Sequence, residues 1–457
     1  VSSSRGSMSD LKIQVLPISF KLAGEPFKLD ANLYNFNNLT YNVNSKGKLN
    51  LGDIYKLFAI EGYNVNGIIK ADLDIRGKGS SANNSTINNR GYLDLENIYL
   101  SSDIFPESFI IKNGKLRFRR EKIVLDNIKA KYANNFFKIT GDVSNYMNFV
   151  LKDQAVLSGN VMIETNKLNV DEFMVFNESA SSSSSKAAPA NSGVIMVPSN
   201  FNISFDAKAK KVLFNNIELL DFNGKMSVQR GNVYLNDTNF NLIGSPFHMT
   251  GSYEPVTTKL AKFDYKIKAN NFDIQKAYNE IAVFKELASA VKDAYGNVSV
   301  DYNLKRTLDA NMSPKMKTIS GFGVLTLEDI QFKGFKLFNQ VAEKTSTKAL
   351  HDSKVSKVVI KTSIANNVMT IERTKFKIAG FRPRIEGQVT LDGKMNLGFR
   401  LGLPPFGIVG IPMTITGNAD DFKVKVGKYH EENLDETDDD FEAYKKSIEV
   451  VKDSIKN

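Results

Sequence analysis

The sequence predicts a mainly β protein built from a repeated unit of amphipathic strands, with a few short helices added. Three observations predict it. First, one stretch recurs: residues 113–143 (NGKLRFRREKIVLDNIKAKYANNFFKITGDV), 223–253 (NGKMSVQRGNVYLNDTNFNLIGSPFHMTGSY) and 366–389 (NNVMTIERTKFKIAGFRPRIEGQV). Gly114 and Gly224 stand 27 positions before Gly141 and Gly251, and Ile123 to Gly141 and Val233 to Gly251 are 18 steps each. Val368 to Gly387 takes 19, read as one extra residue in a turn. A fixed period with matched turn glycines marks a repeat architecture. Second, apolar residues inside the copies alternate, as at Leu116 and Phe118 or Val233 and Leu235, so each strand has one apolar face. Third, helical stripes are few.

Composition bounds the function. The 457 residues carry a net charge of +10, 42% apolar residues, 31 phenylalanines and no tryptophan. Without cysteine, disulfides, zinc–thiolate sites and cysteine nucleophiles are excluded, and an oxidising compartment such as the periplasm fits. Lysines are spread along strands, which reads as solvated strand faces. Nucleic-acid binding would want a clustered basic stripe or a known motif, and neither occurs. A weak attraction to anionic membranes fits the net charge. The longest apolar run, residues 406–413, has 8 residues, short of the ~18 that span a bilayer. No signal peptide is visible, and residues 1–9 read as a linker or expression remnant. The expectation is a piece of a larger protein whose anchoring segment lies outside it.

A first stretch of strands is expected over 10–176. Leu11, Ile13 and Val15 alternate, and Pro17 makes this an edge or bent strand. Strands follow at 27–33, 39–43 and 47–51, with one or two helical turns at 54–60. A strand at 68–76, a polar loop at 78–89 and a new strand start at 91–98 lead into the first copy, and 156–168 adds a strand pair. Residues 177–196, rich in Ser, Ala and Pro, are expected to form a flexible loop, either inserted in one body or linking two.

Strands resume over 197–430. Ile274, Tyr278, Ile281, Phe284, Ala288, Val291 and Tyr295 have helical spacing, predicting an amphipathic helix over 274–295, capped by Asp273 and ended by Gly296. A poorer helix covers 336–350. Strands are expected at 298–304 and 321–330; the latter (GFGVLTLEDI) echoes 91–98 (GYLDLENI). The last strands are 395–403, 413–416 and 422–426, and the loop 404–412 is apolar and fixed by prolines. Residues 431–457 give an acidic tract and a terminal amphipathic helix carrying Phe441, Tyr444, Ile448 and Val451.

A search for chemistry returns little. His248, His351 and His430 have no metal-ligand spacing, so no metal site and no cofactor is assigned. No phosphate loop, dinucleotide fingerprint, nucleophile elbow or EF-hand occurs, and the chain is read as non-enzymatic. What repeats is strands with one apolar face. Two architectures fit that pattern: a β-sandwich whose sheets bury each other, or one long curled sheet whose apolar face lines an open groove, a patch too large for a soluble protein to leave uncovered.

The strand starts at Gly91 and Gly321, the helix at 274–295, and above all the closing run IEGQVTLDGKMNL (385–397), IPMTITGN (411–418) and FKV (422–424) resemble the C-terminal region of AsmA-like proteins, the bacterial envelope family that includes TamB. The resemblance covers most of 11–427. It implies a repeating β-groove like that of bridge-like lipid-transfer proteins: a long curled antiparallel sheet forming an open hydrophobic groove. It also implies a periplasmic location in a Gram-negative bacterium, with inner-membrane anchoring, and carriage of phospholipid between the two membranes. The candidate groove lining is Leu116, Phe118, Ile123, Leu125, Phe137, Ile139, Val233, Leu235, Phe240, Leu242, Phe247, Met249, Phe399 and Leu401. Membrane or envelope-protein contact is expected from Phe406, Ile408, Val409 and Ile411, and from Phe441, Tyr444, Ile448 and Val451. The other functions kept open are an assembly factor for outer-membrane proteins and a structural β-sandwich.

Overall fold

The computed structural model describes residues 11–22, 25–55, 63–78, 87–102, 107–151, 155–174, 193–281, 284–285, 294–332, 336–347, 354–418 and 421–429. The protein is mainly β, and its 22 strands belong to one sheet that does not close. The sandwich expectation therefore gives way to a single layer. Two compact units divide the chain.

The first unit carries β1(Lys12–Leu22), β2(Glu25–Tyr34), β3(Thr40–Asn50), β4(Tyr63–Lys78), β5(Ile87–Ser102), β6(Phe109–Arg119), β7(Lys122–Tyr132), β8(Asn135–Ser144), β9(Leu157–Asn169), β10(Phe201–Phe214) and β11(Ile217–Gln229), with short helices α1(Leu51–Tyr55) and α2(Tyr146–Leu151). From β1 to β9 each strand pairs antiparallel with the next. Pro17 bends β1 where expected, at a register shift between Val15 and Ile18. β9 is one long strand rather than a pair, and it pairs parallel with β10. Parallel neighbours need a crossover connection, and residues 170–200 supply it. Most of the expected loop 177–196 lies outside the described residues. Its last part is held: Gly193 N–H donates to Ala310 O, Val194 N–H to Thr258 O, and Val194 is fully buried.

β12(Asn232–Leu242), β13(Ser245–Thr257) and β14(Leu260–Asp273) contribute to both units. The second unit adds α3(Ile274–Glu280), β15(Ala294–Leu308), β16(Ser320–Phe332), α4(Lys336–Thr345), β17(Lys354–Ala365), β18(Val368–Lys375), β19(Arg382–Thr390), β20(Lys394–Gly402), β21(Gly410–Asn418) and β22(Asp421–Val426). β15 to β22 pair antiparallel in chain order. Of the expected helix 274–295, α3 covers 274–280 and residues 284–285 are helical again, while 282–283 and 286–293 lie outside the described residues. Asp273 does cap α3, accepting from Lys276 N–H at 2.8 Å, but Tyr295 and Gly296 already belong to β15. Strand pairing has taken over the C-terminal end of the stripe.

The repeat is a strand–turn–strand–turn–strand unit. Left-handed residues open its turns: Arg120, Arg230 and Asn366 at the first, and Ala133, Ile243 and Ala379 at the second, 13 positions on in every copy. Gly141, Gly251 and Gly387 then follow 21 positions after the first turn residue. These glycines sit inside β8, β13 and β19, not in turns, which corrects the sequence reading. They are needed because a Cβ there would lie 2.2, 2.1 and 2.4 Å from the carbonyl oxygens of Asn160, Asp264 and Asn396. The apparent extra residue of the third copy also dissolves. Met369 pairs with Val389 as Ile123 pairs with Val143, so Met369 is the counterpart of Ile123 and the spacing to the glycine is 18 in both.

The echo between 91–98 and 321–330 is a β-bulge. Asn97 and Asp329 adopt left-handed φ of 48° and 51°, so two residues on one strand face a single glycine, Gly67 or Gly296, on the other. Asn127, Asp221 and Asn271 take the same conformation in β7, β11 and β14. In every case the next residue is apolar: Ile98, Ile128, Phe222, Phe272 or Ile330. Asn and Asp tolerate left-handed φ because their short polar side chains bond locally, and bulges increase strand bend and twist.

Candidate functional site

The first unit separates its faces cleanly. One face is laced by ion pairs between neighbouring strands: Lys46–Asp72, Lys115–Asp94, Arg117–Asp126, Lys122–Asp142 and Lys138–Glu164, at 2.8–3.3 Å. Pairs this exposed add little stability, but they mark the solvated side. The other face is apolar. Leu39, Tyr41, Ile75, Phe118, Ile123, Val143 and Tyr146 form one buried cluster, with Leu33, Val43, Leu73, Leu93, Leu116, Leu125 and Leu157 half-buried against it. Leu95, Ile98 and Ile128 form a second, with Ile69, Ile111 and Ile139 half-buried beside them.

The first cluster also takes in α2, which folds back over the apolar face after β8 ends at Ser144. Tyr41 of β3 and Tyr146, the first residue of α2, meet through one side chain. Asn89, on β5 and buried, donates from Nδ2 to the Tyr41 hydroxyl at 3.0 Å and to the Tyr146 hydroxyl. The ring of Phe118 meets that of Tyr146 edge-on, with centroids 5.5 Å apart. Burial raises the ionisation of both tyrosines above its ordinary value.

A second fixed point lies at the start of the crossover. The Glu172 carboxylate accepts from Asn134 N–H, Asn134 Nδ2, Asn135 Nδ2 and Asn169 Nδ2 at 2.8–3.3 Å, and Asp171 accepts from Asn215 N–H. The turn at 170–173 is thereby pinned to the β7–β8 and β10–β11 hairpin turns. Burial alone would raise the Glu172 carboxyl, but the donors of Asn134 and Asn169 and the charge of Lys167 outweigh it and hold it below the carboxylate range. Tyr132, fully buried, stacks on Phe173 at 4.3 Å and packs against Phe109 at 4.6 Å; burial pushes its hydroxyl up to about 12.

The structure brings Leu116, Phe118, Ile123, Leu125 and Ile139 together on the apolar face. Phe118 and Ile123 are buried and the other three half-buried. Phe137 is half-buried and meets Phe173 edge-on at 6.5 Å. Val233, Leu235, Leu242 and Met249 are half-buried. Phe240 stacks on Phe222, and Phe247 packs on Phe272 at 5.5 Å; both are buried. Phe399 and Leu401 differ. Leu401 is 0% exposed, as are its neighbours Met413 and Ile415, and the Tyr429 ring lies against Gly398 on the opposite face of β20. These residues sit in sealed packing that presents no open lining.

Sequence reasoning missed the contribution of β2–β5. Leu33, Val43, Ile69, Leu73 and Leu93 carry the same alternation as the repeat copies and were legible on that signal. Asn89 was not, because an isolated asparagine in a polar stretch has no pattern.

In the β20–β21 loop, Phe406, Ile408 and Val409 are 70%, 82% and 70% exposed. Arg400 fixes the loop by donating to Gly407 O at 3.0 Å and Ile408 O at 2.6 Å, and Leu403 N–H donates to Val409 O. Ile411 pairs with Leu401 inside β21 and is half-buried. Phe441, Tyr444, Ile448 and Val451 lie outside the described residues, as do His351 and His430. Among the described residues no group of three or more His, Asp or Glu can hold a metal ion, and no helix is long and apolar enough to cross a membrane.

No family model, curated protein or solved structure matches this chain. The AsmA-like resemblance rests on the residues quoted for it.

Proposed function

We propose that this protein is a non-enzymatic phospholipid carrier that holds acyl chains on the apolar face of its first unit and passes phospholipid between the inner and outer membranes of a Gram-negative envelope. One observation carries the reading: a single-layer sheet keeps a row of half-buried leucines, isoleucines and valines from β2 to β9 on one face, while ion pairs solvate the other. Each acyl CH₂ placed there contributes about 0.8 kcal/mol. A lining of near-uniform aliphatics gives no deep well, so a chain slides along it, and head groups stay in water. The envelope location and anchoring come from the AsmA-like resemblance. The strand-holding reading has less support. Sheet edges invite strand addition, but the bulge at Pro17 bends β1, and β22 has only six residues, features that blunt an edge.

Native mass spectrometry of the chain purified from a Gram-negative host is expected to show bound phospholipid. Leu93→Asp and Leu125→Asp, at half-buried positions, should abolish lipid capture from vesicles while circular dichroism stays that of the parent. Protein that is lipid-free throughout, with both variants matching the parent in lipid extraction, would rule the reading out.

A further inference from the structure

The second unit gathers positive charge at the end of the sheet that carries the β20–β21 loop. The hairpin turn at Ala379–Gly380, the start of β17 and the end of β16 enclose a cleft of about 640 Å³. Lys354, Lys377 and Arg382 line it together with Ser356 and Gln331, and Asp329 is its only acid among the described residues. All three cations are exposed. The apolar loop is its immediate neighbour. The Arg382 side chain runs along Gly407, and Pro404 lies against Gly380. Arg400 adds a further guanidinium beneath the loop tip, and Lys428 follows β22 beside it, its carbonyl accepting from Thr414. Of the other described acids toward this end, Glu328 is engaged by Lys357 at 2.7 Å and Glu386 by Arg373 at 2.6 Å and Arg384 at 3.5 Å.

The loop tip is therefore an apolar wedge with a basic rim. Its three large side chains project from a backbone held by four hydrogen bonds, two from Arg400 and two within the loop (Leu403 N–H to Val409 O and Gly407 N–H to Leu403 O). Ordering the loop thus costs nothing further on binding. A protein partner needs a broad, complementary patch, which three side chains on one narrow turn do not make. A bilayer needs only apolar side chains that reach the acyl boundary and cations at headgroup depth.

We propose that the loop docks this end of the second unit onto an anionic bilayer, with Phe406, Ile408 and Val409 entering the acyl boundary and Lys354, Lys377 and Arg382 binding lipid phosphate groups in the cleft. This is a membrane-contact site separate from the apolar face of the first unit, and it stands whether or not that face carries lipid.

The chain has no tryptophan, so Phe406→Trp adds a single fluorophore at the tip. With vesicles of phosphatidylglycerol and phosphatidylcholine, its emission should shift to the blue and be quenched by lipids brominated on the acyl chain. Pure phosphatidylcholine vesicles should bind at least tenfold more weakly, as should the Lys377→Ala/Arg382→Ala variant on anionic vesicles. Ile408→Ser/Val409→Ser should also cut partitioning about tenfold with an unchanged thermal melt, since both side chains face solvent. Unquenched fluorescence on bound vesicles, or parent-like partitioning of the serine variant, overturns the proposal. So does equal binding to neutral and anionic vesicles, or a tip crosslinker at Ile408 that recovers polypeptide and no lipid from cells. Leu93→Asp should leave the quenching intact, which separates this site from the carrier reading.

Discussion

Asn89 shows how much one residue can organise. Its amide joins Tyr41 of β3 to Tyr146 at the start of α2, where that helix covers the apolar face. Asn89→Ala leaves two buried hydroxyls without their donor, and urea unfolding should read a loss of about 1–3 kcal/mol. The same tyrosines give a pH signature. Burial raises their ionisation above the ordinary 10.0, so the stability they contribute is complete below that value and is lost as pH rises through the raised one. The melting temperature should hold up to about pH 10 and then fall, with the buried tyrosines' share of the tyrosinate absorbance appearing only on unfolding. Glu172 has the opposite sign. Its carboxyl is held below the ordinary 4.5, so its contribution is present above that value and lost as pH falls through the lowered one. Glu172→Gln should flatten the acid limb of the stability curve, and proteolysis should then cut near the start of the crossover first.

At the scale of elements, the period-2 alternation was fully legible: strands at 68–76, 298–304, 321–330 and 422–426 lie inside β4, β15, β16 and β22. The spacing of the repeat was legible too, but not its cause. Glycines at 141, 251 and 387 look like turn residues on composition alone, because nothing in a sequence displays the carbonyl that crowds them from the next strand. Gly251→Ala should therefore unfold or cost several kcal/mol in chemical denaturation, since its Cβ would meet Asp264 O at 2.1 Å. Gly244→Ala, with nothing within 4 Å, should cost only the about 1–2 kcal/mol of a left-handed alanine. The bulges follow similar logic. Glu-Asn-Ile and Glu-Asp-Ile stood out as an echo, yet their left-handed middle residue emerges only once a glycine faces it. Asn97→Val should cost about 1–3 kcal/mol and Asn97→Gly far less. The parallel β9–β10 pairing was invisible, because parallel and antiparallel strands with one wet face alternate alike. The overlong helix at 274–295 arose because Tyr295, which continues a helical stripe, also alternates correctly for a strand.

On the scale of the whole molecule, the candidate site is a distributed surface, which is why single-residue motifs said so little about it and the recurrence of pattern said more. Phe399 and Leu401 carried the lining pattern yet sit in sealed packing, because alternation reports an apolar environment without saying what fills it. The parallel seam between β9 and β10 has a consequence in time. Through β9, each strand emerging from the ribosome finds its partner already made. β9 then waits with an open edge while the crossover of about 30 residues is translated, roughly 2–6 s at ~5–20 residues per second. During that interval a neighbouring nascent chain can offer its own β10, an invitation to strand exchange. A chain stopped at residue 176 holds that edge open permanently and should self-associate on size-exclusion chromatography, whereas the full chain, in which β10 covers β9, should not. The hazard in making this protein lies at one seam, and it closes only when the strand after the Ser/Ala-rich tract arrives.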